Sequence, residues 1–165
     1  MGKNLFILLF CLCIATYTIA QIKDNETTIQ SKHFIGLGAG MTTGLGLSYR
    51  YLPSRFGLQV NFIPVIRENN NYVSVGFSGL LKLRQNKKTN LLLYLGNHYL
   101  YNESKDSGPI NNESKNLWNI GLGPCFEFNI RDVLTLNLMF GYGLYDITNK
   151  PETNFAFESA LYYKL

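Results

Sequence analysis

Residues 133–146 read VLTLNLMFGYGLYD, a stretch in which large apolar side chains occupy every second position. One face carries Leu134, Leu136, Leu138, Phe140, Tyr142 and Leu144. The opposite face carries Thr135, Asn137, Met139, Gly141 and Gly143. A period of two is that of an extended strand, whose side chains point alternately to two faces. The stretch therefore predicts a β-strand longer than the roughly five or six residues usual in soluble proteins.

The same period recurs along the chain from His33 onward. It predicts eight strands, over residues 33–42, 44–52, 56–66, 72–84, 91–102, 117–128, 133–146 and 154–165. No window of comparable length shows the stripe of an amphipathic helix. The first connection, near Thr42 and Thr43, is predicted to be a tight turn. The chain is therefore predicted to be all-β.

The composition limits the kinds of protein that this chain can be. Charged residues make up 16% of the 165 residues, against roughly 25% in a typical soluble domain, and aromatic residues make up 14%. These values exclude a disordered chain, a coiled coil and a disulfide scaffold. The net charge of +4 comes from scattered Lys and Arg, so we expect no nucleic-acid partner.

The first twenty residues have the pattern of a secretory signal peptide. Lys3 supplies a positive start, and residues 5–14 form an apolar run. Thr18 and Ala20 offer small side chains at the −3 and −1 positions before a cleavage site at Gln21. An apolar run of this length is too short to span a bilayer as a helix, which needs about 20 residues. We therefore expect residues 1–20 to direct export.

The rest of the chain divides into two predicted parts. Residues 21–32 are polar and aperiodic and predict a flexible N-terminal arm, and residues 33–165 form the barrel domain. Loss of the leader leaves Cys125 as the single cysteine, so no internal disulfide can form. The chain has no CxxC, HExxH or His–Cys cluster, so we predict no metal site and no cofactor.

Two assignments of the barrel faces are open to such a pattern. A soluble barrel or sandwich would bury the apolar face, whereas a membrane barrel turns that face to lipid and its polar face to the lumen. The predicted strands of nine to fourteen residues are near the length that tilted strands need to cross hydrocarbon. The polar face is rich in Gly, Ser and Asn, which suit the crowded interior of an eight-stranded barrel. The pattern favours the membrane assignment, so the predicted fold class is all-β, an eight-stranded antiparallel up-and-down transmembrane β-barrel.

The connections and the aromatic residues agree with a membrane barrel. Short links after the second, fourth and sixth segments alternate with longer links after the third, fifth and seventh. Aromatic girdles are predicted at both interfaces, with Tyr99, Tyr101, Trp118 and Tyr145 toward the long loops and Tyr49 and Tyr51 toward the short turns. Membrane lipid is the partner that this arrangement predicts.

Residues 158–165 read ESALYYKL and form the predicted closing strand. With the pattern of residues 33–165, this strand resembles the small eight-stranded outer-membrane β-barrels, the OmpX-like and OmpA-like porin-family domains of Gram-negative bacteria. The resemblance implies the outer membrane, with its lipid and lipopolysaccharide. It also implies that the barrel-insertion machinery reads Tyr163 and Leu165 as an insertion signal. Ala160 stands where that signal usually has Gly, and Leu165 where it usually has Phe.

Two eight-stranded families of this kind, the lipid A deacylases and the lipid A palmitoyltransferases, are enzymes. The deacylases share a His-x-Ser sequence pair, in which the histidine is a base that activates the neighbouring serine hydroxyl. Here His98 is followed by Tyr99 and Leu100, so the serine is missing at that spacing, and His33 lies at the start of the first strand. We predict no enzyme and no catalytic residue.

Three charged residues of the polar face lie at similar distances from the short turns, and they predict an inward-facing charge network. Arg50, Lys82 and Glu127 would meet across the lumen, whereas Glu158 would lie higher, nearer the long loops. A buried charge without a partner costs several kcal/mol, so Glu127 is expected to bridge to Arg50, to Lys82 or to both. The alternative is that each side chain reaches water separately at the turns.

The expected role is structural or interactive, through the surface loops of a barrel with a filled lumen. Adhesion and envelope integrity are the two forms of that role, and an extracellular ligand is expected at the 103–116 loop. The alternatives are transport of a small solute, as in a porin, and lipid A modification. Because one fold hosts several functions, the pattern alone does not decide among them.

Overall fold

The structure, a computed structural model, describes residues 32–66, 70–105 and 112–165. Within these ranges the chain forms eight strands: β1 (His33–Ala39), β2 (Gly46–Tyr51), β3 (Phe56–Ile66), β4 (Asn70–Arg84), β5 (Thr89–Lys105), β6 (Asn112–Asn129), β7 (Leu134–Tyr145) and β8 (Glu152–Lys164). Consecutive strands pair antiparallel, and β1 also pairs with β8, which closes the barrel. The predicted fold class is confirmed.

Alternation along each strand separates an inner face from an outer face. On β2, Ser48 and Arg50 are buried while Leu47 and Tyr49 are exposed, and β6 alternates in the same way around Cys125. The exposed positions are large and apolar: Leu47 is 65% exposed and Tyr142 is 70% exposed. The face assignment expected of a soluble barrel, with the apolar face inside, is therefore wrong for this chain.

The lumen holds the packed interior. Its apolar cluster consists of Phe34, Leu52, Leu80, Leu92, Tyr94, Cys125, Met139, Ala160 and Tyr162. Buried polar side chains lie below and above this cluster, among them Arg50, Gln59, Asn61, His98, Glu127 and Glu158. An eight-stranded barrel encloses just enough space for side chains to fill, and here they fill it.

The strands differ greatly in length, so the barrel wall is uneven. β4, β5 and β6 have 15, 17 and 18 residues, whereas β1 and β2 have 7 and 6. β5 and β6 were expected to end near residue 102 and to begin near residue 117, but their ladder continues to the pair Lys105↔Asn112. Backbone hydrogen bonds sustain this pairing through polar residues, where no apolar alternation marks a strand. The tip of the predicted 103–116 loop, residues 106–111, lies outside the described residues.

The long strands rise above their neighbours as a separate wall. β3 pairs with β2 up to Phe62, but with β4 as far as Ile66. β6 pairs with β7 from Ile120 downward, but with β5 up to Asn112. Residues 63–66, 70–74, 100–105 and 112–117 therefore form a four-stranded sheet above the closed barrel, which we call the upper wall.

The predicted signal peptide, residues 1–20, and all of the predicted arm except Lys32 lie outside the described residues. In the part of the chain that the structure describes, no helix is long and apolar enough to cross a membrane.

Candidate functional site

Arg50 is the centre of the lower lumen. It projects inward from β2 and is fully buried. Its Nη1 donates to Glu127 Oε2 at 2.8 Å, and its Nη2 donates to Gln59 Oε1 at 2.7 Å. Its Cζ lies 4.2 Å from the centroid of the Tyr162 ring, a cation–π contact. Three strands and the closing strand β8 thus meet at one guanidinium.

The carboxylate of Glu127, the ion-pair partner of Arg50, is also buried and hydrogen-bonded. Glu127 is 2% exposed, and its second oxygen accepts from Asn90 Nδ2 at 2.7 Å. Asn137 faces the guanidinium, and with its amide oxygen turned inward that oxygen accepts from both terminal nitrogens of Arg50. A buried ion pair is tolerable when further hydrogen bonds satisfy both charges, and this condition is met here.

The structure brings Arg50 and Glu127 together, whereas Lys82 lies toward the turn and Glu158 lies higher in the lumen, at the level that the sequence predicts for it. Lys82 is half-exposed where β4 enters its turn, and its Nζ donates to Gln85 Oε1 at 3.1 Å. The β4–β5 ladder shifts register between Lys82 and Arg84, so counting residues back from the turn does not give the depth of Lys82 in the lumen. Glu158 is buried in the upper lumen.

The connection between β1 and β2 fills the upper lumen. Residues 40–45, which we call the plug segment, were expected to form a tight turn at the rim, but Thr42 and Thr43 are 0% and 2% exposed. Thr42 N donates to Glu158 Oε1 at 2.8 Å, and Thr42 Oγ1 donates to the same oxygen. These hydrogen bonds fix the plug segment, which follows β1, to β8, the last strand of the barrel.

A histidine and two polar side chains hold the plug segment near both of its ends. His98 Nδ1 donates to Met41 O at 2.8 Å, and Asn119 Nδ2 donates to the same carbonyl at 2.8 Å. Because Nδ1 carries the donated hydrogen, Nε2 of the neutral ring accepts from Ser74 Oγ at 2.9 Å. Ser74 Oγ in turn accepts from Leu45 N at 3.0 Å.

The strands around the plug segment leave room for it with glycines. A Cβ at Gly76 would overlap Thr43 O, and one at Gly96 would lie 2.6 Å from Thr42 O. A Cβ at Gly121 would overlap the Thr42 side chain, and one at Gly143 would lie 2.8 Å from its Cγ2. These glycines belong to β4, β5, β6 and β7. Four strands therefore lack a side chain at the level where the plug segment crosses the lumen.

We expect Gly76→Ala to destabilise the folded barrel by about 2 kcal/mol, the usual range for a side chain forced into a packed interior. The added methyl must displace the Thr43 carbonyl, which is backbone and cannot rotate away. The measurement is a urea titration of unfolding in detergent micelles.

Gly79→Ala, on the same strand, is the matched control, because a Cβ there meets nothing within 4 Å. It should change the free energy of unfolding by less than about 1 kcal/mol, in the stabilising direction. Equal stability of the two variants would show that residues 40–45 do not occupy the lumen.

The Ser74–His98 pair has the two elements of an activated nucleophile, a hydroxyl and a base within hydrogen-bond reach. A search for serine two residues after histidine misses it, because Ser74 lies on the neighbouring strand. Both side chains are buried, and the third partner is the Met41 carbonyl rather than a carboxylate. Among the described residues no group of three or more His, Cys, Asp or Glu side chains could hold a metal ion. The geometry fits a pair that positions the plug segment.

The predicted girdle residues fall on two faces. Tyr49, Tyr51, Tyr99 and Trp118 point outward with 45%, 38%, 41% and 47% of their surface exposed, and Tyr101 is half-exposed on the same face. Tyr145 was expected in this girdle but lies on the lumen side, since it shares the face of Gly143 on β7. A Cβ at Gly143 would lie 2.8 Å from its ring.

The closing strand joins the barrel on both edges. Tyr163 pairs with Ile35 of β1 and Leu134 of β7, and its side chain is 51% exposed on the outer face. Leu165 follows the strand, and its N–H donates to His33 O at 2.9 Å.

Comparison with solved structures identifies the class of fold. The Neisserial surface protein A has 8% identity and a TM-score of 0.53 over 81% of this chain and 93% of its own. The N-terminal β-barrel domain of Pseudomonas aeruginosa OprF has 9% identity and a TM-score of 0.51 over 79% and 95%. No family model and no curated protein matches the sequence. The chain has the fold of the small eight-stranded outer-membrane β-barrels, as the resemblance predicted.

Proposed function

We propose that this protein is an integral outer-membrane barrel with a closed lumen and a structural or interactive role at the cell surface. The observation that carries the proposal is the outer face, where Leu37, Leu47, Leu95 and Leu122 are 51–65% exposed around the barrel. A continuous apolar band of this kind marks contact with lipid rather than with water. Export by the signal peptide at residues 1–20 belongs to the same proposal.

The insertion test uses the full barrel domain refolded into lipid vesicles. We expect a band that shifts on boiling and strands that resist added protease, because a closed barrel leaves its backbone hydrogen bonds inaccessible. A chain that stays monomeric and soluble without detergent or lipid would contradict membrane insertion.

The upper wall supports an interactive role. It rises on the side of the long connections, which in outer-membrane barrels is the extracellular side. Its β6 edge, residues 112–117, extends above the β7 ladder, and strand edges are surfaces that other chains can pair with. A ligand of the 103–116 loop would meet this wall first.

To test the interactive role, residues 103–114 are replaced by Asn-Gly, which joins the paired residues Asn102 and Lys115 by a two-residue hairpin turn. The barrel below the wall is unchanged. If the role is adhesion, the shortened protein should lose cell aggregation while the detergent resistance of the envelope stays normal. If the role is envelope integrity, only removal of the whole protein should lower that resistance. Unchanged behaviour in both assays after complete removal would contradict the proposal.

Transport of a small solute is the first alternative, and the lumen opposes it at three levels. The Arg50 network closes the lower part, Leu92, Tyr94 and Met139 close the middle, and Thr42 closes the top. We expect no resolvable conductance steps in planar bilayers under conditions in which a porin of known size conducts. Steady steps of uniform size would favour transport.

Lipid A modification is the second alternative. Ser74 and His98 face the lumen, whereas acyl chains of lipid A would lie against the outer face. Mass analysis of lipid A from cells with and without the protein should give identical species. A change in acylation that disappears with Ser74→Ala would establish the enzyme.

Recognition by the barrel-insertion machinery is proposed for the closing strand, through Tyr163 and Leu165. The double variant Tyr163→Ser and Leu165→Ser should lower the folded fraction in cell membranes about tenfold while refolding in detergent persists. Tyr49→Ser, another exposed tyrosine at the same end, is the matched control. An equal loss of folded protein in cell membranes and in detergent would show that the two residues act only through the stability of the barrel.

A further inference from the structure

The short-turn end of the barrel carries a group of exposed basic side chains along its rim, which we call the basic ring. Of the described residues at this end, five basic ones are exposed: Lys32, Arg84, Lys87, Lys88 and Arg131. Asp132 is the exposed acidic side chain among them. Arg84, Lys87, Lys88 and Arg131 lie in or beside the β4–β5 and β6–β7 turns, which are neighbours, since Asn129 N donates to Lys88 O at 2.9 Å. Most of the positive charge therefore lies on one side of the rim.

The opposite end has a different charge. There the exposed charged side chains of the described residues are Lys115, Lys150 and Glu152, and Lys150 pairs with Glu152 at 3.2 Å. Half-buried Glu103 and Asp146 add negative charge. Among the residues that the structure describes, the exposed basic side chains are therefore more numerous at the short-turn end, although their spread along the sequence hides this.

Aromatic side chains lie directly above the basic ring. Tyr51, Phe56, Phe128 and Tyr163 are 38%, 68%, 37% and 51% exposed on the outer face near the short turns. Aromatic residues at this position mark the boundary between hydrocarbon and headgroups. Lys and Arg beside them extend their chains along the surface and place their charges among the lipid phosphates.

We propose that this ring binds anionic phospholipid headgroups, of the phosphatidylglycerol type, in the leaflet that faces the short turns. The inference rests on the proposed membrane insertion and adds a lipid preference to it. An anionic headgroup keeps a net negative charge, whereas the charge of a phosphatidylcholine headgroup is compensated within the molecule. The attraction acts within a Debye length, so it is confined to lipids in contact with the ring.

The experiment refolds the full barrel into phosphatidylcholine vesicles that contain a trace of spin-labelled lipid. The fraction of motionally restricted label is compared for phosphatidylglycerol and phosphatidylcholine probes. We expect a preference for phosphatidylglycerol of roughly threefold or more at low salt, as expected for several basic residues at a lipid surface. The preference should fall to about one in the variant Arg84→Gln, Lys87→Gln, Lys88→Gln and Arg131→Gln, and in wild type at about 1 M salt.

The matched control is Lys115→Gln with Lys150→Gln, which removes exposed basic residues from the other end and should leave the preference unchanged. If the fourfold variant does not fold, Lys87→Gln with Lys88→Gln should remove part of the preference. Equal preference in wild type and in the ring variants would overturn the inference while leaving insertion intact. Loss of the preference on adding inorganic phosphate at constant ionic strength would assign the ring to free phosphate instead. Failure to enter the vesicles at all would contradict the proposed function itself.

Discussion

Replacing Glu127 by alanine should destabilise the folded barrel by about 3 kcal/mol, since it leaves the guanidinium of Arg50 buried without its carboxylate. Gln59 and Asn137 still accept hydrogen bonds from Arg50 in that variant, which keeps the loss at the lower end of the range for broken buried ion pairs. The free energy of unfolding is measured by urea titration in detergent micelles.

The control is the double-mutant cycle with Arg50→Ala. The double variant removes the stranded cation as well, and water can enter the polar space that the arginine leaves. We expect it to be more stable than Glu127→Ala alone, and we expect the summed losses of the two single variants to exceed the loss of the double variant by at least about 1 kcal/mol, a coupling typical of residues in one network. Strictly additive losses would show that the two side chains do not interact in the folded protein.

Leu122→Arg should destabilise the barrel by about 2–4 kcal/mol in lipid, the cost of a cation on the lipid face near the middle of the bilayer. Leu122 is 51% exposed on β6, between the aromatic levels of Trp118 and Phe128. The measurement is a urea titration of the protein refolded in lipid vesicles.

Val133→Arg is the matched control, because Val133 is 44% exposed but lies in the turn before β7. Arginine at the interface costs at most about 1 kcal/mol. In water both positions would tolerate arginine equally, since both are exposed. Equal effects of the two substitutions in lipid would therefore place the outer face in water and contradict membrane insertion.

The sequence was sufficient for the fold and for most of the face assignments, because both depend on a period of two that runs along each strand. Asn119, Gly121, Cys125 and Glu127 are inward on β6, as that period predicts. The error at Tyr145 arose from its aromatic character, since its distance of two from Gly143 already places it on the lumen face. Arg50 and Glu127 meet because both lie three residues from a short turn, a distance that the sequence shows.

The plug segment could not be found in this way. Its space depends on Gly76, Gly96, Gly121 and Gly143, which are far apart in the chain and converge only when the barrel closes. Its hydrogen bond to Glu158 spans 116 residues of sequence. No local pattern near Thr42 distinguishes a segment that crosses the lumen from a turn that stays at the rim. The positive φ of Gly44 and Gly46, 88° and 120°, allows the sharp return to β2.

The plug segment also constrains the order in which the chain can fold. Thr42 has its acceptor on β8, and β8 reaches that position only when it pairs with β1. The first hairpin of the chain therefore cannot complete its hydrogen bonds until the last strand arrives. Contacts of such long sequence separation slow folding, because the loop-closure entropy is lost before the contacts form. Closure of the seam and completion of the packed interior are therefore coupled, so a half-closed barrel lacks the stability of the contacts that reach β8.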